Sequence, residues 1–227
     1  MKEEVFIISL GGSILYPKEI NTSFLKDFRN LILDQISLGN KFIIITGGGG
    51  VCRNYLQAVK SITTIEEKDL DWLGIASTRL NAEMMRVLFG DLAYEKVILD
   101  PDIIPKTDKN IILGGGWKPG NSSDLASIHS AISVGAKKVI NLTNIDYVYT
   151  KDPKKYPDAE IIKEINWQDF REILPKEWEP GLNSPFDPIA AQKAEENNLE
   201  VIIMNGLNLE NLKNYFENKE FIGTVIK

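Results

Sequence analysis

Across 227 residues there is one cysteine and one histidine. Cys52 alone cannot close an intrachain disulfide, which fits a reducing compartment. His129 alone excludes a histidine metal cluster and a Ser-His-Asp triad. It falls in an expected helix and reads as a packing or surface residue. No apolar run comes near the roughly 20 residues that a membrane helix needs. Met1-Lys2-Glu3-Glu4 runs straight into a strand without the layout of a signal peptide. A strong basic stretch is also missing, and the net charge is −6. That argues against a nucleic-acid partner held by the protein's field. The expectation is a soluble cytoplasmic protein with no membrane partner. Its chemistry must use carboxylates, lysine, arginine, hydroxyls, backbone N–H groups or a bound ion.

Glycine is what the chain does have, and it is clustered. Phe42-Ile43-Ile44-Ile45-Thr46 is a short β-branched run suited to a strand buried on both faces. Gly47-Gly48-Gly49-Gly50 follows, then Val51-Cys52-Arg53 opens an expected helix to Lys60. A strand, a glycine turn and a helix N-terminus together offer backbone N–H groups to an anion. Arg53, one turn in, can fork onto a phosphate. The plain alternative is a loop rich in glycine because packing there is tight. The stretch lacks the Gly-Lys-Ser/Thr ending of a P-loop and the acidic partner of a dinucleotide fingerprint.

The same pattern occurs twice more. Val5 to Leu10 reads as a strand ending in Gly11-Gly12-Ser13, and Ile111 to Leu113 leads into Gly114-Gly115-Gly116-Trp117-Lys118-Pro119-Gly120-Asn121-Ser122-Ser123-Asp124. Ligands of open α/β sheets bind beyond the carboxyl ends of strands. Ser122 and Ser123 can cap the helix that follows or bond an oxyanion. Asp124 suits a helix N-terminal dipole. A carboxylate beside three glycine turns also suits Mg²⁺, which takes few protein carboxylates plus phosphate oxygens.

Between these turns, a helix capped by Asn21 or Thr22 runs to about Leu38, and Gly39-Asn40 stops it. A longer helix spans Asp69 to Leu88 and carries Asp71, Arg79 and Asn81. For charged helix residues such as Asp71 and Arg79 the ordinary reading is a solvated face. Lys96 to Leu99 reads as a short strand. Beyond the third turn come a helix to Val134, a strand Lys138 to Asn141 and an irregular tract to Glu160. Then follow a short helix Trp167 to Leu174, a proline-rich loop Pro175 to Pro188, and a helix Asp187 to Asn198. A strand Glu200 to Met204, a helix Leu209 to Phe216 and a strand Gly223 to Ile226 close the chain. The βαβα opening implies a parallel sheet covered on both faces.

The order of these motifs resembles the amino acid kinase superfamily. The matching residues are Gly11-Gly12-Ser13, Gly47-Gly48-Gly49 with Arg53, the turn Gly115 to Asp124, Thr143-Asn144-Ile145-Asp146 with Tyr149 and Asp152-Pro153, and Asp187-Pro188-Ile189-Ala190-Ala191. Asp71-Trp72-Leu73-Gly74-Ile75 with Thr78-Arg79-Leu80-Asn81-Ala82 is similar to the uridylate (UMP) kinases of the archaeal type. The resemblance covers nearly the whole chain. It implies an α/β three-layer sandwich around a mainly parallel central sheet, one continuous structural domain. Within it, residues 1–140 form an acceptor lobe and 141–227 an ATP lobe. It implies Mg²⁺-dependent transfer of the ATP γ-phosphoryl to UMP, in pyrimidine nucleotide synthesis toward CTP, by a homohexamer.

By the same resemblance, Gly48, Asp71, Trp117, Lys118, Pro119, Gly120, Asn121, Ser122 and Ser123 face UMP. Gly11, Gly12, Gly49 and Arg53 face the transferring phosphates. Thr143, Asn144, Tyr149 and Asp152 hold the adenosine of ATP. Arg53, Asp124 and Asp187 organise the reacting centre, and no metal ligand set is read from the sequence. Two positions depart from the family pattern. Ser9 stands where many members carry a strand-one lysine, and Tyr147 stands where Asp-Gly-Val-Tyr is usual. The alternatives are a kinase of the same fold with another small acceptor (a carbamate, an acyl-amino acid or an isoprenoid phosphate) and an inactive nucleotide-binding sensor or storage protein.

Overall fold

The structure is a computed structural model and describes residues 4–153, 155–175 and 184–227. Seven strands make one sheet: β1 (Val5–Leu10), β2 (Lys41–Thr46), β3 (Ile111–Gly114), β4 (Lys138–Thr143), β7 (Glu164–Ile165), β8 (Glu200–Asn205) and β9 (Thr224–Ile226). Their order is β3-β2-β1-β4-β8-β9-β7. All neighbours are parallel except β8 and β9, which run antiparallel. A two-stranded ribbon, β5 (Val148–Tyr149) with β6 (Ile161–Ile162), stands apart and brackets the tract that reads as irregular in the sequence.

The alternation of side chains along β1 and β2 sorts them onto two faces. Phe6, Ile8, Leu10, Phe42 and Ile44 pack with Phe24, Phe28 and Ile32 of α2 (Thr22–Ser37) and with Leu212 and Phe216 of α8 (Leu209–Phe216). Ile7, Ile43 and Ile45 pack on the other side with Ile128 of α5 (Ser123–Val134), Phe170 of α6 (Trp167–Ile173) and Ala190 and Ala194 of α7 (Pro188–Glu196). Both faces are buried, which is why the central strands are continuous apolar runs. The expected three-layer α/β sandwich is the observed one.

The remaining helices are α1 (Gly12–Leu15), α3 (Gly49–Lys60) and α4 (Glu67–Phe89). Segment 96–99 forms no strand; only an isolated bridge joins Ile98 to Gly114. The four-residue α1 replaces what reads as a simple turn. Of the proline-rich loop, residues 176–183 lie outside the described residues. Among described residues only Asn198 and Asn218 combine a side chain with positive φ, so Tyr147 keeps an ordinary backbone. In β3-β2-β1-β4-β8 the chain fills one side of β1 and then the other. That reversal beside β1 is where an open sheet splays its loops apart and leaves a crevice.

Candidate active site

The three glycine turns leave the carboxyl ends of β1, β2 and β3, which are adjacent in the sheet. The first two interlock through backbone alone. Gly47 N–H donates to Leu10 O at 2.9 Å and Gly50 N–H to Tyr16 O at 2.6 Å. A Cβ on Gly12 would overlap the Gly49 nitrogen and lie 2.7 Å from the Gly47 carbonyl carbon. Gly49 has φ +62°, a conformation that side chains resist, and a Cβ there would overlap Gly12 O. Gly11 donates its N–H to Leu142 O of β4 at 2.9 Å, tying the first turn to the next strand.

Helix α4 joins the second turn to the third. Asn81, buried, donates its amide to Gly47 O at 2.7 Å and Gly48 O at 3.2 Å. The Thr46 hydroxyl donates to Thr78 O at 2.9 Å. The Thr78 hydroxyl accepts from Gly116 N–H at 2.6 Å. Arg79 donates Nε–H to Gly116 O at 3.0 Å and Nη2–H to Trp117 O at 2.9 Å. Arg79 is therefore not on a solvated face. Asp71 likewise accepts Gly120 N–H on Oδ2 at 2.7 Å. The spacing Thr78–Asn81, one helical turn, puts both side chains on one face of α4, and that was the available signal. What the spacing does not reveal is that two glycine turns cover this face.

Two carboxylates sit between the turns. Period-2 alternation turns Ser9 to the α5 side of β1, where its hydroxyl donates to Asp124 Oδ1 at 2.9 Å. Asn141 of β4 donates to the same oxygen at 2.9 Å, and Asp187 N–H reaches Asp124 Oδ2 at 3.3 Å. Asp187 is buried. Its Oδ1 caps α7 by accepting Ile189 N–H at 2.7 Å and Ala190 N–H at 3.3 Å. Its Oδ2 accepts the hydroxyl of Ser122, which itself caps α5 by accepting Leu125 N–H at 3.1 Å. Burial, then the neighbouring charge of Asp187, push the Asp124 carboxyl up to about 6, against the hydrogen bonds that lower it. Among the described residues no lysine or arginine pairs with either carboxylate. The neutral hydroxyl of Ser9 occupies one lone pair of Asp124.

The glycine turns, Thr78, Asp124 and Asp187 line a cleft of about 600 Å³. Of the residues expected at the site, Gly12, Gly48, Gly49, Arg53, Asp71, Lys118, Asn121, Ser122, Ser123, Asp124, Thr143, Asn144 and Asp187 are on its wall. Gly11, Trp117, Pro119, Gly120, Tyr149 and Asp152 are not. Arg53 is exposed and donates to Pro17 O at 2.9 Å. Lys118 places its ammonium 3.7 Å from the centre of the Trp117 ring. Trp117 in turn packs on His129, whose Nδ1 meets Asp102 Oδ1 at 2.7 Å. Tyr149 lies in β5, and Asp152 approaches Lys155 at 3.8 Å. The wall also holds Ser13, Cys52, Gly74 and Thr78, which belong to the sequence motifs but have no expected role at the site. Burial pushes the Cys52 thiol up, away from a reactive thiolate.

The donor set fits Mg²⁺ in kind: hard carboxylate oxygens, with Asp124 Oδ2 engaged only by one long contact. No group of three histidine, cysteine or acidic side chains suited to a metal occurs among the described residues. An ion here would therefore take most of its ligands from substrate phosphates and water, as Mg²⁺ does. No described helix is long and apolar enough to cross a membrane.

Residues 4–205 match the amino acid kinase family. The uridylate kinase of Methanobrevibacter smithii is 34% identical over 223 residues, 97% of each chain. That of Sulfolobus acidocaldarius is 30% identical over 216 residues, 92% of this chain and 93% of the relative. The solved structure of uridylate kinase from Archaeoglobus fulgidus covers 100% of both chains with a TM-score of 0.81 at 27% identity.

Proposed function

The chain belongs to the amino acid kinase family, and on that premise we propose that it is a nucleoside monophosphate kinase making UDP and ADP from UMP and ATP. The observation that carries this reading is the meeting of three glycine turns and the Asp124–Asp187 pair on one cleft. Full-length similarity to uridylate kinases supports the choice of acceptor.

The chemistry asks little of a base. A phosphate oxygen of UMP attacks the γ-phosphorus of ATP, the bond from that phosphorus to the β-phosphate oxygen breaks, and ADP leaves. The acceptor is already an anion near neutral pH, so a lone, remote histidine is no handicap. What is needed is two phosphates held in line and their charge offset. The backbone of the second and third turns and the cations of Arg53 and Lys118, all on the cleft wall, serve this. Asp124, with Asp187 beside it, would hold Mg²⁺, which would supply charge neutralisation on the transferring group.

In this reading residues 1–140 are the acceptor side. Gly48, Asp71 and the turn from Trp117 to Ser123 receive UMP. Residues 141–227 are the donor side, with Thr143 and Asn144 on the wall and Tyr149 and Asp152 beyond it toward the adenosine. The reaction belongs to pyrimidine nucleotide synthesis toward CTP, in the cytoplasm, with the chain assembled as a homohexamer. Purified protein with Mg²⁺-ATP and a panel of acceptors tests it through ADP release. Fast turnover on UMP alone supports the reading. Turnover on a carbamate, an acyl-amino acid or an isoprenoid phosphate overturns the acceptor. Tight ATP binding without turnover on any acceptor overturns the activity.

A further inference from the structure

Arg79 carries a guanidinium to the back of the third glycine turn, where it is half-buried and off the cleft wall. Among the described residues no carboxylate pairs with it. Its two bonds, at 3.0 and 2.9 Å, go to successive carbonyls, Gly116 O and Trp117 O. Together with Thr78, which accepts Gly116 N–H, it fixes three polar groups of two consecutive residues. The segment it fixes, Gly114-Gly115-Gly116-Trp117, would otherwise be loose, because glycine has the widest choice of backbone states. A Cβ on Gly115 would lie 2.9 Å from Arg79 N, so the turn rests directly on the helix backbone. Lys118, Asn121, Ser122 and Ser123, which face the cleft, hang from this segment.

We propose that Arg79 is a positioning residue for the phosphate acceptor: it aims the third turn, and through it the acceptor half of the cleft, without touching substrate. The proposal rests on the reading of that half as the UMP site. A planar fork suits two adjacent carbonyls, whereas lysine offers a point charge that cannot span both in one geometry. Arg79 makes no bond to Thr143 or Asn144, so the donor side stays as it is. Losing Arg79 removes acceptor binding in the ground and transition states alike, which raises KM for UMP and spares kcat.

The test uses Arg79→Met, which keeps the apolar stem, Arg79→Lys, and Arg86→Met as a control. Arg86 pairs with Glu83 on the exposed side of the same helix. The expected result for Arg79→Met is a rise of at least about tenfold in KM for UMP, with KM for ATP and kcat within about twofold. Arg79→Lys shares most of this defect, and Arg86→Met shows none. Hydrogen exchange of the unliganded protein reads the positioning without any substrate: the amides of Lys118 and of Gly120 to Ser123 exchange faster in Arg79→Met, and amides 143–144 do not. Unchanged exchange in 118–123 overturns the proposal even if the protein proves to use another acceptor. So does an equal rise in both KM values, or full rescue by lysine, which would assign the effect to charge alone. A wild-type enzyme idle on UMP defeats the functional reading and leaves the exchange result to decide this one.

Discussion

Replacing Asp124 with asparagine removes a charge that folding places at a disadvantage. The carboxyl is shifted from an ordinary 3.8 to about 6, first by burial and then by Asp187. A folded-state value above the unfolded one means that the native protein binds the proton more tightly. The stability this contributes is fully present below pH 3.8 and is lost as pH rises through about 6. At about 1.4 kcal/mol per pH unit, a shift of roughly two units corresponds to roughly 3 kcal/mol. Asp124 is only partly shielded from water, which brings the figure to on the order of 1–3 kcal/mol. In Asp124→Asn the amide oxygen still accepts from Ser9 and Asn141, and only the long bond from Asp187 N–H is forfeited. Stability measured by urea titration, mutant minus wild type, should therefore climb by about 1–3 kcal/mol between pH 4 and pH 7.5 and then level off. Titrating groups that do not interact with Asp124 cancel in that difference, and Asp187, which does, titrates with it as a pair. Catalysis should fall by at least about a hundredfold above pH 6, where the wild-type carboxyl is ionised, because the mutant lacks the charge that the transfer reaction uses. A stability difference flat with pH would refute the reasoning, since the carboxyl would then carry no raised affinity for its proton.

Two further substitutions probe the glycine turns. Gly12→Ala drives a methyl group into the backbone of the second turn, where no side chain can step aside. Overpacking of this kind costs about 3 kcal/mol or more, read as a fall in melting temperature of at least about 6 °C together with loss of turnover; a mutant with wild-type melting and rate would show that the turns do not interlock. Arg53→Ala loses one bond at an exposed site, so stability should change by less than about 1 kcal/mol. Its turnover should drop at least tenfold, a fall of about 1.4 kcal/mol in transition-state stabilisation, and near-normal rates would remove Arg53 from the site.

The layers were legible because both local rules and burial agreed. Continuous β-branched runs mark β1, β2 and β8 as strands covered on both faces, and Asn21 and Ser122 cap helices where their side chains suggest. The failures have different causes. Segment 96–99 has the composition of a strand but only one bridge, because β3 alone borders it and the chain leaves at once. Gly12-Ser13-Ile14-Leu15 makes a helical turn despite its glycine, since Gly12 must lie against the second turn while Ile14 and Leu15 fill the core. Arg79 was misread because helical periodicity says which residues share a face and not what later covers it. The covering residues are 37 and 38 positions away. Ser9 is a similar case: alternation predicts its side of the sheet, but its partner Asp124 is 115 residues distant.

One hydroxyl links the caps of two helices. Ser122 closes the first turn of α5 and, through Asp187, the first turn of α7. The two N-termini are thereby tied: separating them would break the Ser122–Asp187 bond and leave a buried carboxylate without that donor. Any opening and closing of the cleft during turnover must therefore hinge elsewhere, with α5, α7 and the two carboxylates travelling as a single rigid piece.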